Sequence, residues 1–145
     1  YMHKPSIDVF TGFAKEYFRE NDRLGKKQYL IPYLISSHPG STLRDAVELA
    51  EFLNRYGFVP DQVQDFYPTP ATLATCMYYT EMNPFTGENV YVAKDMEEKK
   101  MQRALIHYNR PENRQLVKKA LIKAGREDLI SVLLPPQNRK GKKRR

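Results

Sequence analysis

The sequence predicts an α/β protein built from two consecutive strand-to-helix units of a parallel sheet. Three observations carry that reading. The almost continuously apolar run from Tyr29 to Ile35 passes through Ser36-Ser37-His38-Pro39-Gly40 and enters a capped helix at Ser41-Thr42. A second strand, Val63-Gln64-Asp65-Phe66-Tyr67, is closed by Pro68-Thr69-Pro70 ahead of the helix-compatible stretch from Ala71 to Thr80. Between the two lies a strong helical stripe that serves as the crossover, and such crossovers are almost always right-handed. In sheets and barrels of this kind the ligand lies at the carboxyl ends of the strands, so the loops at 36–41 and 65–70 are the predicted binding positions.

Taken in order, the first element is an amphipathic helix. Ile7, Phe10, Phe13, Ala14, Tyr17 and Phe18 recur at spacings of three and four, with Ser6 as N-cap, Asp8 in the first turn and Gly25 as the stop. The run 29–35 then suits a strand covered on both faces, against which Pro32 stands as an objection because it removes a ladder donor. Leu43, Ala46, Val47, Ala50 and Leu53 form the next helical face, Thr42 and Asp45 have capping-box spacing, and Gly57 ends the helix. After Thr80 the character changes. Residues 81–87 form a turn-rich connector and Asn89-Val90-Tyr91-Val92 reads as a short extra strand. Lys94 to Tyr108 and Pro111 to Ala124 read as helices, the first with a stripe of Met96, Lys100, Met101, Leu105 and Tyr108, and Asp128 to Leu134 as a short apolar finish.

The formal net charge is +7, yet Arg139, Lys140, Lys142, Lys143, Arg144 and Arg145 supply six of those charges, so the rest of the chain carries +1. The basic character belongs to a tail, 135–145, whose composition predicts disorder. The single cysteine, Cys76, excludes an intrachain disulfide framework and any cysteine-built cluster within this chain; it fits a reducing compartment. The longest apolar run is too short to span a bilayer and no charged-then-apolar leader opens the chain, so the expected location is cytoplasmic with no membrane partner. Tyr1 in place of an initiator methionine predicts a piece of a longer polypeptide.

Six residues are candidates for cofactor binding. Ser36, Ser37 and His38 offer hydroxyls and an imidazole at the first strand end; the plain alternative is a sharp turn whose geometry Pro39 and Gly40 set. Asp65, Phe66 and Tyr67 offer an acceptor and ring faces at the second, with core packing of the rings as the alternative. No catalytic or metal-ligating residue is assigned. Cys76 is read as a small packed hydrophobe, Tyr78-Tyr79 as core, His3 and His107 as packed or solvated, and Glu97-Glu98-Lys99-Lys100 as the wet face of a helix.

The order of helix, apolar strand, SSHPGST turn, helix, strand and QDFYPTPAT resembles the C-terminal half of a radical S-adenosylmethionine barrel, in the branch that includes the methylthiotransferases. His38-Pro39-Gly40-Ser41-Thr42 stands where those enzymes carry a GFPGET turn, and Phe66-Tyr67-Pro68-Thr69-Pro70-Ala71-Thr72 where they carry YSPRPGT. From His3-Lys4-Pro5-Ser6 through the tail, the chain is similar to the C-terminal part of YgiQ-family proteins, in which a radical S-adenosylmethionine domain precedes a domain of unknown function. Ser37, His38 and Ser41 depart from the GFPGET pattern, so the chemistry of that loop is not carried over.

The resemblance implies the last two units of an incomplete (β/α)6 barrel over 1–80, a small mainly helical domain over 81–134, and the basic tail over 135–145. It further implies a parent enzyme with a [4Fe-4S] cluster and S-adenosylmethionine, cleaved reductively to a 5′-deoxyadenosyl radical, in which this stretch shapes the adenosyl and substrate side. The partners expected are the missing N-terminal part of the same barrel and a substrate the sequence does not identify. The CxxxCxxC motif is absent, so this stretch alone is expected to bind no cofactor and catalyse nothing. The rival reading is a non-catalytic module that docks RNA or a ribosomal surface through the basic tail. Two parallel strands without neighbours also predict a marginally stable or self-associating isolated chain.

Overall fold

In a computed structural model that describes residues 4–136, the chain is mixed α/β, with a two-stranded parallel sheet backed by helices. Helix α1 (Ile7–Arg23) follows Ser6 and gives way at Gly25, where φ is +62°. Strand β1 (Leu34–Ser36) leads through the Pro-Gly turn into α2 (Leu43–Tyr56). The expected capping box is formed: Thr42 Oγ1 accepts the Asp45 N–H and Asp45 accepts the Thr42 N–H. Gly57 closes α2 at φ +69°, a left-handed conformation that other L residues adopt only at a cost of about 1–2 kcal/mol. Strand β2 (Val63–Asp65) then pairs parallel with β1 in the register Leu34 to Val63, Ile35 to Gln64 and Ser36 to Asp65.

Helix α3 (Leu73–Thr80) is capped by Thr72, whose hydroxyl accepts the Thr75 N–H. Beyond the connector come α4 (Met96–Ile106), capped by Asp95, a 3-10 turn at Pro111–Asn113, α5 (Arg114–Lys123), a second such turn at Glu127–Leu129, and α6 (Ile130–Leu133).

Two clusters hold these elements together. The larger joins Leu43, Ala46, Val47 and Ala50 of α2 to Met101, Ala104 and Leu105 of α4, Val117, Ala120 and Leu121 of α5, and Leu129, Leu133 and Leu134 at the end of the described chain. The smaller joins Ala14 of α1, Leu53, Phe58, Val63 and Ile106, with Phe10, Leu34 and Phe52 against it. Helix α4 contributes to both, so the C-terminal helices share their core with the crossover helix. Among the described residues, no helix is long and apolar enough to cross a membrane.

Several expectations are corrected. The strand expected over Tyr29 to Ser36, covered on both faces, pairs only over Leu34–Ser36. Pro32 supplies no ladder donor, and β2 offers three residues in register. Tyr29, Ile31 and Tyr33 are 80%, 79% and 67% exposed. The second strand stops at Asp65 instead of Tyr67. The extra strand at 89–92 reduces to one antiparallel bridge, Met82 to Asn89. Met96 is exposed, so the buried face of α4 begins at Met101. Cys76 and Tyr79 also lie at the surface, because short α3 turns only Met77 fully inward. The predicted disorder of 135–145 falls, from residue 137 onward, outside the described residues.

Candidate functional site

The pleat of the two strands sorts their side chains between two faces. Leu34 and Val63 join the smaller cluster, and Ser36 and Asp65 meet on that same helix-covered side. The opposite face is open and carries Tyr33, Ile35 and Gln64, with the Tyr33 hydroxyl donating to Gln64 Oε1 at 2.5 Å. At the carboxyl ends of the strands this open face deepens into a cavity of about 410 Å³. It is lined by Ile35, His38, Gln64, Asp65, Phe66, Tyr67, Thr69, Thr72 and Ala74.

Four of the six candidate residues, His38, Asp65, Phe66 and Tyr67, therefore meet around one cavity. The other two do not line it. Ser36 and Ser37 are 2% and 3% exposed and lie behind the cavity wall. Ser36 Oγ donates to Asp65 Oδ1 at 2.5 Å, and the Ser36 carbonyl accepts the Phe66 N–H at 2.8 Å, which extends the pairing one step past the strands. Ser37 Oγ has no hydrogen-bond partner among the described residues.

Three of the nine lining residues, His38, Phe66 and Tyr67, carry rings. His38 packs edge-on against Phe66 with centroids 5.2 Å apart, and Phe66 lies 5.5 Å from Tyr78. His38 Nδ1 lies 2.8 Å from the Pro39 carbonyl oxygen, an acceptor, so a proton on Nδ1 is what that contact requires. Tyr67 is 80% exposed, a ring face without a packing role at the second strand end. Both strand-end loops also hold one non-glycine residue in the left-handed region, Ser37 at φ +58° and Ala71 at φ +62°. Such strain persists where surrounding contacts enforce it, and it concentrates at ligand-binding turns.

Contacts from the C-terminal half of the chain also reach the two strand-end loops, and sequence reasoning missed them. Arg103 of α4 donates through Nη1 to Asp65 Oδ2 at 2.6 Å. Its neighbour Gln102, 1% exposed, donates through Nε2 to the Ser41 carbonyl at 3.0 Å. The Gly40 N–H donates to the Tyr91 carbonyl at 2.7 Å. The Tyr91 hydroxyl is pushed up to about 12, first by desolvation and then by the Glu98 carboxylate that accepts its hydrogen bond at 2.6 Å. The wet face of α4 thus works harder than its charge pattern suggests. Glu98 serves Tyr91 and Gln102, Glu97 pairs with Lys119, and Lys99 lies over the Tyr78 ring at 5.5 Å.

The remaining candidates stand apart from this cavity. His107 is buried, as expected of a packed histidine, at the C-terminal end of α4. Burial above all, then the Arg110 and Arg103 charges, holds its pKa below the usual imidazole value, while the Pro60 carbonyl and Asp61 oppose them. Among the described residues no three His, Cys, Asp or Glu side chains cluster as metal ligands would, and Cys76 is a free, exposed thiol.

Chemically, the cavity offers aromatic faces, the His38 imidazole, the Gln64 amide and threonine hydroxyls, with its one carboxylate tied to Arg103 and Ser36. This suits a flat ligand with polar edges. It holds no donor set for a cluster.

A family described as Domain of unknown function (DUF3362) matches residues 61–144. Curated relatives include a UPF0313 protein of Methanocella arvoryzae, 58% identical over 129 residues, and one of Clostridium botulinum, 55% identical over 129 residues; both alignments take in 89% of this chain. A UPF0313 protein of Clostridium perfringens is 55% identical over 130 residues. The chain spans about a fifth of the length of these relatives, the matched part being 22%, 20% and 20% of each. No solved structure matches.

Proposed function

The chain belongs to the family described as Domain of unknown function (DUF3362), and from that premise we propose that it is the C-terminal portion of a radical S-adenosylmethionine enzyme of the YgiQ family. In this reading it supplies the adenosyl- and substrate-side wall of a cavity that the remainder of the polypeptide completes. The observation that carries the reading is the pair of parallel strands whose carboxyl ends open on one aromatic-lined cavity, where ligands of parallel sheets are bound. The strained turns at Ser37 and Ala71 support it. So does the length of the relatives, which leaves about four-fifths of each to supply further strands and cluster ligands.

The cofactor of such enzymes, held by a [4Fe-4S] cluster, supplies one-electron cleavage chemistry, and this stretch holds no residues for the cluster. Its own side chains bind and orient. Phe66 and Tyr67 offer faces to the adenine, His38 and Gln64 offer polar edges, and the apolar Ile35 excludes water at the floor.

The test uses the intact polypeptide, reconstituted anaerobically with iron and sulfide, given S-adenosylmethionine and a strong reductant, and assayed for 5′-deoxyadenosine. Product is expected, with the KM for S-adenosylmethionine raised about tenfold in Phe66→Ala, the effect of one lost stacking contact. A cluster-loaded protein that neither binds nor cleaves the cofactor refutes the reading. Deletion of residues 139–145 is expected to leave cleavage unchanged. Salt-sensitive RNA binding lost with that deletion, in a protein without cleavage activity, points instead to the docking module.

A further inference from the structure

We infer that Arg103 is a positioning residue for the strand-end cavity, fixing the spacing of its two loops through Asp65 without touching the ligand itself. The inference rests on the reading that the cavity takes an adenosyl ligand. One carboxylate joins three elements: Asp65 Oδ1 accepts from Ser36 at the end of β1, Asp65 itself ends β2, and Oδ2 accepts from Arg103 on α4. The first loop is gripped again on its far side, where Gln102 holds the Ser41 carbonyl and Tyr91 holds the Gly40 N–H. The segment from 91 to 103 therefore spans the mouth of the sheet and ties down both loops.

Arg103 is not among the residues lining the cavity, and its side chain is 48% exposed. A pair that open to water adds little to global stability. Its effect is local, on the orientation of Asp65 and on the Phe66 amide, whose hydrogen bond to the Ser36 carbonyl closes the gap between the strand ends. The titratable groups facing Arg103 are Asp65, which pairs with it, and buried His107, whose protonation its charge opposes, so loss of the guanidinium leaves Asp65 with the Ser36 hydroxyl alone.

Two measurements on the intact polypeptide test this, comparing wild type, Arg103→Gln and Arg103→Lys. The first is amide hydrogen exchange at Phe66 and Gly40, with α5 amides as the internal reference. The second is calorimetric binding of S-adenosylhomocysteine, which requires no turnover. In Arg103→Gln the Phe66 amide is expected to exchange about three- to fivefold faster with α5 unchanged, and the ligand to bind more weakly by a similar factor. Arg103→Lys restores most of both. Unchanged exchange at Phe66, or an equal rise throughout α5, overturns the proposal. If wild type fails to bind S-adenosylhomocysteine while the exchange effect is present, the cavity reading falls and the positioning role stands. Binding by wild type with no exchange effect means the reverse.

Discussion

The helical core and the sheet differ in how completely they satisfy their own side chains. In the first, Val47, Met101, Leu105, Val117 and Leu121 are each 0% exposed, and α2, α4 and α5 close over them. In the second, Tyr29 and Ile31 are about four-fifths exposed and Tyr33 two-thirds, on strand flanks and a strand face that no described residue covers. Apolar content alone does not distinguish the two regions. The difference lies in periodicity: the helices repeat every three to four residues and find partners in this chain, whereas the run 29–35 is apolar on both sides and has a partner for one. A region that seals itself is read as scaffold, and one that leaves its apolar side open is read as a surface awaiting cover or ligand.

Substitutions sharpen that contrast. Leu105→Ala is expected to cost about 3–4 kcal/mol, because it opens a cavity where no side chain can collapse inward, while Ile31→Ala costs under about 0.5 kcal/mol. Denaturant midpoints of the intact polypeptide, read by exchange in α4 and in the 29–36 segment, measure both. Equal costs would mean that the open face is buried in the whole protein.

Backbone strain gives a smaller and opposite pair of effects. Ser37→Gly is expected to stabilise by about 1 kcal/mol, since it relieves a left-handed turn and removes a buried hydroxyl without a partner, whereas Gly57→Ala destabilises by about 1 kcal/mol. A destabilised Ser37→Gly would show that the hydroxyl is engaged by a group from outside this stretch.

The third effect is set by pH. Burial holds the His107 pKa below its ordinary value of 6.5, so the folded chain takes up a proton less readily than the unfolded one. This contribution is fully present above about pH 6.5 and declines as pH falls below it, the unfolded state binding the proton first. Melts between pH 7.5 and about 5 should show the decline in wild type and a flatter profile in His107→Gln. A profile that His107→Gln leaves unaltered would exclude the residue as the source.

Much of this architecture is legible in the residues. Thr42 with Asp45 specifies a capping box, Gly57 a left-handed stop, and the spacing of Leu43 through Leu53 the crossover helix; all three are found. The strand-end location of the cavity follows from the β-α-β order alone. What local pattern conceals is reach. Arg103 and Gln102 look like ordinary members of a charged helix, and nothing within a few positions of either distinguishes them from Lys99 or Lys100. Their partners lie tens of residues upstream. Pleat direction is similarly hidden: in register with Ser36, Asp65 gives its carboxylate oxygens to Ser36 and Arg103, while its neighbour Gln64 lies on the open face with Tyr33.

That reach bears on the order in which the protein assembles. Gln102 bonds to a residue 61 positions earlier and Arg103 to one 38 positions earlier. A ribosome adding about 5–20 residues per second delivers Gln102 roughly 3–12 s after Ser41. Through that interval the nascent β-α-β unit has its strands and crossover helix but neither clasp on its loops, and its apolar face is bare. The hand of the crossover is settled early and the mouth of the sheet late, so a stall between residues 80 and 100 would strand the chain in its most adhesive form.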